Sequence, residues 1–233
     1  MVRQPFYGHI DTVMPLSRSH RKFLRRTAAA ITFLFAIFAS PLAQAGEVLI
    51  AVAANFAGAA REIATHFEAS TGHKALISFG STGQFYTQII QGAPFEIFLA
   101  ADRARPEKIV AEGFAVPGSR FTYAVGRIVL FSRKEGFVRG EATLKAGRFA
   151  KIAIANPATA PYGAAAVETM KALGLYEALA PKIVMGINIA QTYQFVETGN
   201  AELGFVALSQ LSATSGSGWI VPTALHAPIA QDA

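Results

Sequence analysis

The sequence contains no cysteine among its 233 residues. That absence excludes disulfide bonds, thiolate metal sites and cysteine nucleophiles, so packing alone must stabilise the folded chain. Charged residues are also few, at 15%, whereas hydrophobic residues make up 52%. This proportion is sufficient to bury a core, either as one large domain or as two small ones.

The net charge is close to zero when the first 45 residues are left out of the count. The formal net charge is +6, but six basic residues and one acidic residue lie before position 46. The remaining 15 basic and 14 acidic residues leave a net charge of +1. Because nucleic-acid binding needs Lys and Arg clustered on one face, we expect no nucleic-acid partner. An anion site in this protein would have to work without a large positive field.

Recognisable catalytic patterns are missing as well. The sequence has no Gly-x-Ser-x-Gly nucleophile elbow. After position 45 its only histidines are His66, His73 and His226, and their spacing is not that of metal ligands. Pairs of acids such as Glu96 and Asp102 are typical of surface and strand-end charges. We therefore expect no enzyme, no metal and no cofactor, with a periplasmic hydrolase as the disfavoured alternative.

Residues 1–45 have the three parts of a secretory signal. A basic region is followed by an apolar run over 27–42 and by the small-x-small site Ala43-Gln44-Ala45. The strongly apolar part is about 13 residues long, short of the ~20 that a membrane span needs. We expect a cleaved signal peptide over 1–45 and a periplasmic protein beginning at Gly46. An uncleaved membrane anchor is the alternative, and Met14 is an alternative start to Met1.

From position 46 short apolar runs alternate with helical patterns. The runs predict strands at 48–53, 75–79, 97–101, 123–132, 152–156, 183–185, 203–208 and 219–221. Helices are predicted after Asn55 and at 84–91, 163–173 and 190–198. Alternating strands and helices favour an α/β fold with mostly parallel sheets and right-handed crossovers.

In four places a strand leads through a tight loop into a helix. The loops lie at Asn55, at Ser81-Thr82, at Tyr162-Gly163 and at Ile189-Ala190. A helix start carries unpaired N–H groups and the positive end of the helix dipole, which together favour anions. In open α/β sheets ligands bind beyond the carboxyl ends of the strands. The pattern therefore predicts a site for a small oxyanion.

Each of these residues also has an ordinary structural interpretation. Asn55 could be a simple N-cap, Ser81-Thr82 could be only a turn, and Tyr162 could lie in a surface loop. If they do face a ligand, Asn55, Ser81, Thr82 and Tyr162 add side-chain donors to the backbone ones.

Five segments together resemble the periplasmic molybdate-binding proteins of ABC transporters. They are AVAANF at 51–56, FGSTG at 79–83, GAPFEIFLAAD at 92–102, the stretch 156–163, and LGFV at 203–206. The resemblance implies a monomeric, two-lobed periplasmic-binding-protein fold of type II. It also implies capture of molybdate or tungstate for an ABC permease, with contacts at Asn55, Ser81 or Thr82, Tyr162 and the backbone of Ile189. A binding protein for sulfate, thiosulfate or another oxyanion is the alternative.

The resemblance further implies how the chain is divided. We expect the first lobe to comprise 46–124 and a return segment, 208–233, and the second lobe to comprise 125–207. Hinge crossings are expected near Ala124 and Ala207. Members of the family continue with a further strand and one or two helices, so we expect a truncated return segment and apolar surface exposed on the first lobe.

Overall fold

The computed structural model describes residues 45–211 and 216–233. Nearly all of the predicted signal peptide therefore lies outside the described residues. Within those that are described, no helix is both long and apolar enough to cross a membrane.

The first sheet is parallel and has the strand order β2-β1-β3. Its strands are β1 (Glu47–Ala53), β2 (Lys74–Gly80) and β3 (Ile97–Leu99), and its helices are α1 (Ala57–Thr71), α2 (Thr82–Ile90) and α3 (Ala104–Ala111). Gly72 ends α1 in the left-handed conformation, with φ 73°, which favours glycine because it has no Cβ. The predicted alternation of strands and helices in this segment is confirmed.

A two-stranded antiparallel pair, β4 (Thr122–Gly126) with β10 (Ile229–Asp232), connects this sheet to the rest of the chain. The backbone N–H of Ala100 donates to Asp232 O at 2.9 Å, so β10 also lies against the end of β3. The buried Asp232 carboxylate is 2.5 Å from Arg120 Nη1 and accepts from Thr122 Oγ1 at 2.6 Å. These bonds fix β10 to the first sheet.

The second sheet has five strands in the order β7-β6-β8-β5-β9. They are β5 (Ile128–Ser132), β6 (Ile152–Ala155), β7 (Ile183–Gly186), β8 (Leu203–Ala207) and β9 (Ser217–Ile220). The associated helices are α4 (Glu141–Ala146), α5 (Pro161–Ala172), α6 (Tyr176–Leu179) and α7 (Ile189–Glu197). Every residue of β5, β6 and β8 is buried. That burial is why these strands are continuous apolar runs in the sequence.

Two predicted features differ from the structure. The stretch 123–132 is two strands, β4 and β5, which break at Arg127 and belong to different sheets. Strand β9 lies within the predicted return segment 208–233 of the first lobe, but it pairs antiparallel with β5 of the second sheet. The pairing satisfies the backbone groups that β5 would otherwise present at an open edge. The other lobe boundaries stay a prediction.

Apolar side chains of α1, β3 and the loop 112–121 lie exposed beside the first sheet. They border an open groove of about 930 Å³. The exposed apolar side chains that line this groove are Ile63, Phe67, Ile97, Phe114, Val116 and Phe121.

Core and surface positions of the second sheet differ in what truncation to alanine should cost. Leu130, on β5, is fully buried, whereas Met185, on β7, is 57% exposed. We expect Leu130→Ala to lower the free energy of unfolding by about 2–5 kcal/mol, through lost burial and the cavity left behind. We expect Met185→Ala to change it by no more than about 0.5 kcal/mol. Urea unfolding of both variants measures this, and equal losses would mean that β5 is not in the core.

Candidate functional site

Asn55 follows β1 in a short 3-10 turn, Ala54–Phe56, and is buried. Helix α1 begins two residues later, and its N-cap position is Phe56, which makes no side-chain capping bond. The N-cap interpretation of Asn55 is therefore wrong. Its side-chain Nδ2 donates instead to Gln231 Oε1 at 2.9 Å, and its backbone carbonyl accepts from Ser209 Oγ at 2.6 Å.

Ser81 and Thr82 form the start of α2, and both are buried. Ser81 caps the helix: its Oγ donates to Gln84 Oε1 at 2.9 Å and accepts from Gln84 N at 3.4 Å. Thr82 Oγ1 accepts from the backbone N–H of Ala101 at 2.9 Å, so the hydroxyl keeps its own proton for another partner. The two residues are thus a capped helix start at the carboxyl end of the first sheet, rather than only a turn.

Tyr162 lies in the first turn of α5, directly after Pro161, and is 3% exposed. The surface-loop interpretation is therefore wrong. Its hydroxyl oxygen accepts from Gln231 Nε2 at 3.1 Å. Burial raises the pKa of Tyr162 to about 12, although the amides of Gln231 and Asn55 oppose this by hydrogen-bonding the phenolate. At neutral pH the group is consequently an uncharged hydroxyl.

Ile189 is the first residue of α7, and its side chain is buried. The preceding Asn188 caps the helix by accepting from Gln191 N at 3.0 Å. The carbonyl of Ile189 accepts from Gln210 Nε2 at 3.1 Å. Helix α7 contacts the turn that carries Asn55. Any contribution of Ile189 to a ligand must come from its backbone, since its side chain is apolar.

The two sheets meet where α2 faces the loop before α5. Gly83 N, in the first turn of α2, donates to Thr159 O at 2.8 Å. The guanidinium of Arg105, which is paired with the carboxylate of Asp102, donates to Ala158 O at 2.9 Å. A Cβ on Gly83 would lie 2.9 Å from Thr159 Cα, closer than real Cβ contacts. Glycine is therefore required for this close approach.

These contacts bring the elements that carry the candidate residues together at the junction of the two sheets, and we call this junction the cleft. Gln231 joins Asn55 to Tyr162, α7 contacts the Asn55 turn, and α2 reaches the loop that leads to Tyr162. The side-chain bonds of Ser81 and Thr82 stay within the first sheet's own elements, at Gln84 and Ala101.

Sequence reasoning missed two residues of this cleft. Gln231 lies on β10, which has no apolar run to predict it. Gly126 ends β4, and a Cβ there would strike the Tyr162 hydroxyl and come within 2.6 Å of Gln231 Nε2. A glycine inside the β-rich stretch 123–132 is the signal that could have indicated a close approach.

The side chains gathered here are neutral hydrogen-bonding groups. Asn55, Thr82 and Tyr162 each offer a polar hydrogen, and none of them titrates near neutral pH. In the described part of the chain no group of three or more His, Asp or Glu residues could hold a metal ion. This arrangement suits a ligand that accepts hydrogen bonds and carries its own negative charge.

Comparison with known proteins assigns a family. Residues 48–233 match the family described as bacterial extracellular solute-binding proteins. Over 196 residues the chain is 59% identical to the molybdate-binding protein ModA of Azotobacter vinelandii, covering 82% of this chain and 78% of that protein. Its identity to the molybdate-binding protein ModA of Rhodobacter capsulatus is 53%, covering 90% of this chain and 83% of that protein.

Solved structures agree. The periplasmic molybdate-binding protein of Azotobacter vinelandii matches with a TM-score of 0.77 at 41% identity, covering 79% of this chain and 83% of that one. The sulfate-binding protein SubI of Mycobacterium tuberculosis matches with a TM-score of 0.62 at 9% identity, covering 75% of this chain and 71% of that one. The second likeness shows a shared fold alone.

From the contact between Gly83 and Thr159 we predict how closely the two sheets can approach each other. Gly83→Ala should hold the two sheets apart, because overpacking of a close contact costs about 1–3 kcal/mol. Small-angle X-ray scattering should then give a larger radius of gyration than for the unaltered protein. Gly58→Ala is the matched control, since a Cβ on that helical glycine meets nothing within 4 Å. An unchanged radius for Gly83→Ala would mean that this contact does not limit closure.

Proposed function

We propose that this chain, which belongs to the bacterial extracellular solute-binding protein family, captures molybdate or tungstate and delivers it to an ABC permease. It acts as a binding protein and not as an enzyme. The observation that carries the proposal is the buried pair of Asn55 and Tyr162, two neutral side chains that lie in one cleft and are joined through Gln231. Relatives at 59% and 53% identity that are named molybdate-binding proteins support the choice of ligand.

The proposed ligand contacts are Asn55, the Ser81 and Thr82 hydroxyls, the Tyr162 hydroxyl and the backbone N–H of Ile189. A tetrahedral dianion only accepts hydrogen bonds, and each of these groups carries a polar hydrogen, which Ser81 donates to Gln84 Oε1 in this structure. The N–H groups of helix starts add the positive end of the helix dipole. In a closed cleft the low local dielectric strengthens each bond, so a dianion can be held without a cation.

The proposal extends to how the protein works in the cell. The first lobe comprises 46–124 and the return segment 208–233 without β9, and the second lobe comprises 125–207 with β9. The lobes close on the ligand as rigid bodies, and the closed monomer docks on the permease. The protein is exported to the periplasm, with cleavage after Ala45 leaving Gly46 as its first residue.

From these neutral hydrogen-bond donors we predict which anions the protein binds most tightly. Molybdate and tungstate are nearly equal in size, sulfate is smaller, and all three are dianions, so neutral donors must discriminate by distance. An unmade bond to a buried donor costs about 1–3 kcal/mol, so two such losses should weaken sulfate by about a hundredfold. Phosphate also carries a proton that no acceptor in the site would receive. Calorimetry with the four anions should give equal affinity for molybdate and tungstate and far weaker binding of the other two.

Asn55→Ala should weaken all four anions and leave their order unchanged, while Asn200→Ala, an exposed asparagine after α7, should change nothing. Sulfate that binds as tightly as molybdate would contradict the proposal and indicate a general oxyanion trap.

From the protonation state of the site we predict how the affinity for molybdate depends on pH. Because the pKa of Tyr162 is raised to about 12, its hydroxyl keeps the proton that it donates at any pH well below that value. Asn55, Ser81 and Thr82 do not titrate, and molybdate stays a dianion between about pH 6 and 8, so affinity should be constant across that window. Calorimetry at several pH values measures this. A tenfold change would mean that an ionisable group such as a histidine contacts the ligand.

A further inference from the structure

Gln231 is a buried glutamine that the ligand contacts named above do not include. It lies on β10, next to Asp232, and is 2% exposed. Burying an amide without partners is costly, because the group loses its hydrogen bonds to water and gains none within the protein. A polar side chain at this depth therefore has to be explained by what it bonds.

Its two ends bond to different walls of the cleft. The carbonyl end, Oε1, accepts from Asn55 Nδ2 at 2.9 Å and lies 3.1 Å from the Tyr123 hydroxyl. The amino end, Nε2, donates to the Tyr162 hydroxyl oxygen at 3.1 Å. Asn55 follows β1 of the first sheet, whereas Tyr162 lies in the first turn of the helix that follows β6 of the second. A single side chain thus touches the proposed ligand groups of both lobes.

We propose that Gln231 is a positioning residue that sets the direction of the hydrogen bonds in the oxyanion site, an inference that rests on the proposed function. Tyr162 accepts from Nε2, so its own proton remains available for an anion. Asn55 donates an Nδ2 hydrogen to Oε1, which fixes the orientation of its amide.

The opposite orientation of the Gln231 amide would reverse both effects. Its carbonyl end would then accept the Tyr162 proton, and its amino end would bond the Asn55 oxygen. An entering dianion would meet a tyrosine whose proton is already used. The observed polarity therefore leaves the Tyr162 hydroxyl as a donor and fixes the Asn55 amide before the ligand arrives, without any charge.

The surroundings hold Gln231 in place. Gly126, opposite β10, leaves the space that Nε2 and the Tyr162 hydroxyl occupy, since a Cβ there would overlap both. Tyr123, whose hydroxyl also lies 2.8 Å from Ala100 O, is packed against Phe56 with ring centroids 5.1 Å apart. Asp232 anchors the strand through Arg120. These contacts prevent the side chain from moving away from the site.

Two substitutions at Gln231 test the proposal, both read by calorimetry with molybdate. Gln231→Met keeps the shape of the side chain and removes both bonds, and it should weaken binding by about tenfold. Gln231→Glu keeps the acceptor and loses the donor, so the carboxylate accepts a hydrogen bond from the Tyr162 hydroxyl, whose proton is then unavailable to the anion, and its charge repels the dianion. We expect this variant to bind more weakly than Gln231→Met at about pH 8 and to recover towards pH 6, as the buried carboxyl, with its raised pKa, takes up a proton and donates again.

The charged and titratable groups around that position allow this assignment. Tyr123 and Tyr162 have pKa values raised by burial, the latter to about 12, so neither ionises in the window. Asp232 is paired with Arg120 and lies 3.7 Å from Arg103 Nε. A recovery on acidification would therefore report the introduced carboxyl, which a merely structural role for Gln231 would not produce.

A double-mutant cycle completes the test. If Gln231 acts through Tyr162, Gln231→Met should cost less in a Tyr162→Phe background than in the unaltered protein. Gln88→Leu, at an exposed glutamine of α2, is the control and should leave affinity unchanged.

Additive losses in the cycle, or a Gln231→Glu variant whose affinity does not depend on pH, would overturn the inference. Wild-type protein that fails to bind molybdate would instead overturn the proposed function, so the two failures are distinguishable.

Discussion

The arrangement of the cleft depends on the antiparallel pairing of β4 with β10. Strand β4 leads directly into β5 of the second sheet, and β10 is hydrogen-bonded to the end of β3 in the first. The pair is thus the link through which one sheet is placed against the other. The buried carboxylate of Asp232, matched to Arg120, fixes this link, because an unpaired charge at that depth would be strongly destabilising.

From that constraint follows a site made of neutral groups. The pair brings Gln231 between Asn55 and Tyr162, and the close approach at Gly83 brings the start of α2 to the same cleft. With a net charge of only +1 after position 45, the protein has no large positive field to attract an anion. Affinity must then come from short, buried hydrogen bonds, and selectivity from the distances between donors that the two sheets fix.

The sequence predicted the parts of the site that obey local rules. Apolar runs that lead to Asn55 and to Ser81-Thr82 indicate strand ends, and β1 and β2 do end there, at Ala53 and Gly80. The N-cap role of Asn55 was wrong because the chain inserts a 3-10 turn before α1. Local sequence rules do not predict strand β10 or the role of Gln231. Half of that strand consists of buried polar residues, whose partners lie up to 176 positions away in the sequence. The place of β9 depends likewise on which edge strand needs a partner.

A crystal structure of the protein with tungstate tests the central claim most directly, because tungsten locates the anion by its anomalous scattering. The account predicts one peak per chain in the cleft, within hydrogen-bond distance of Asn55 and the Tyr162 hydroxyl, with Gln231 bonded to both behind them. A peak outside this cleft, or an anion contacted by a lysine or arginine side chain in place of these neutral donors, would contradict it.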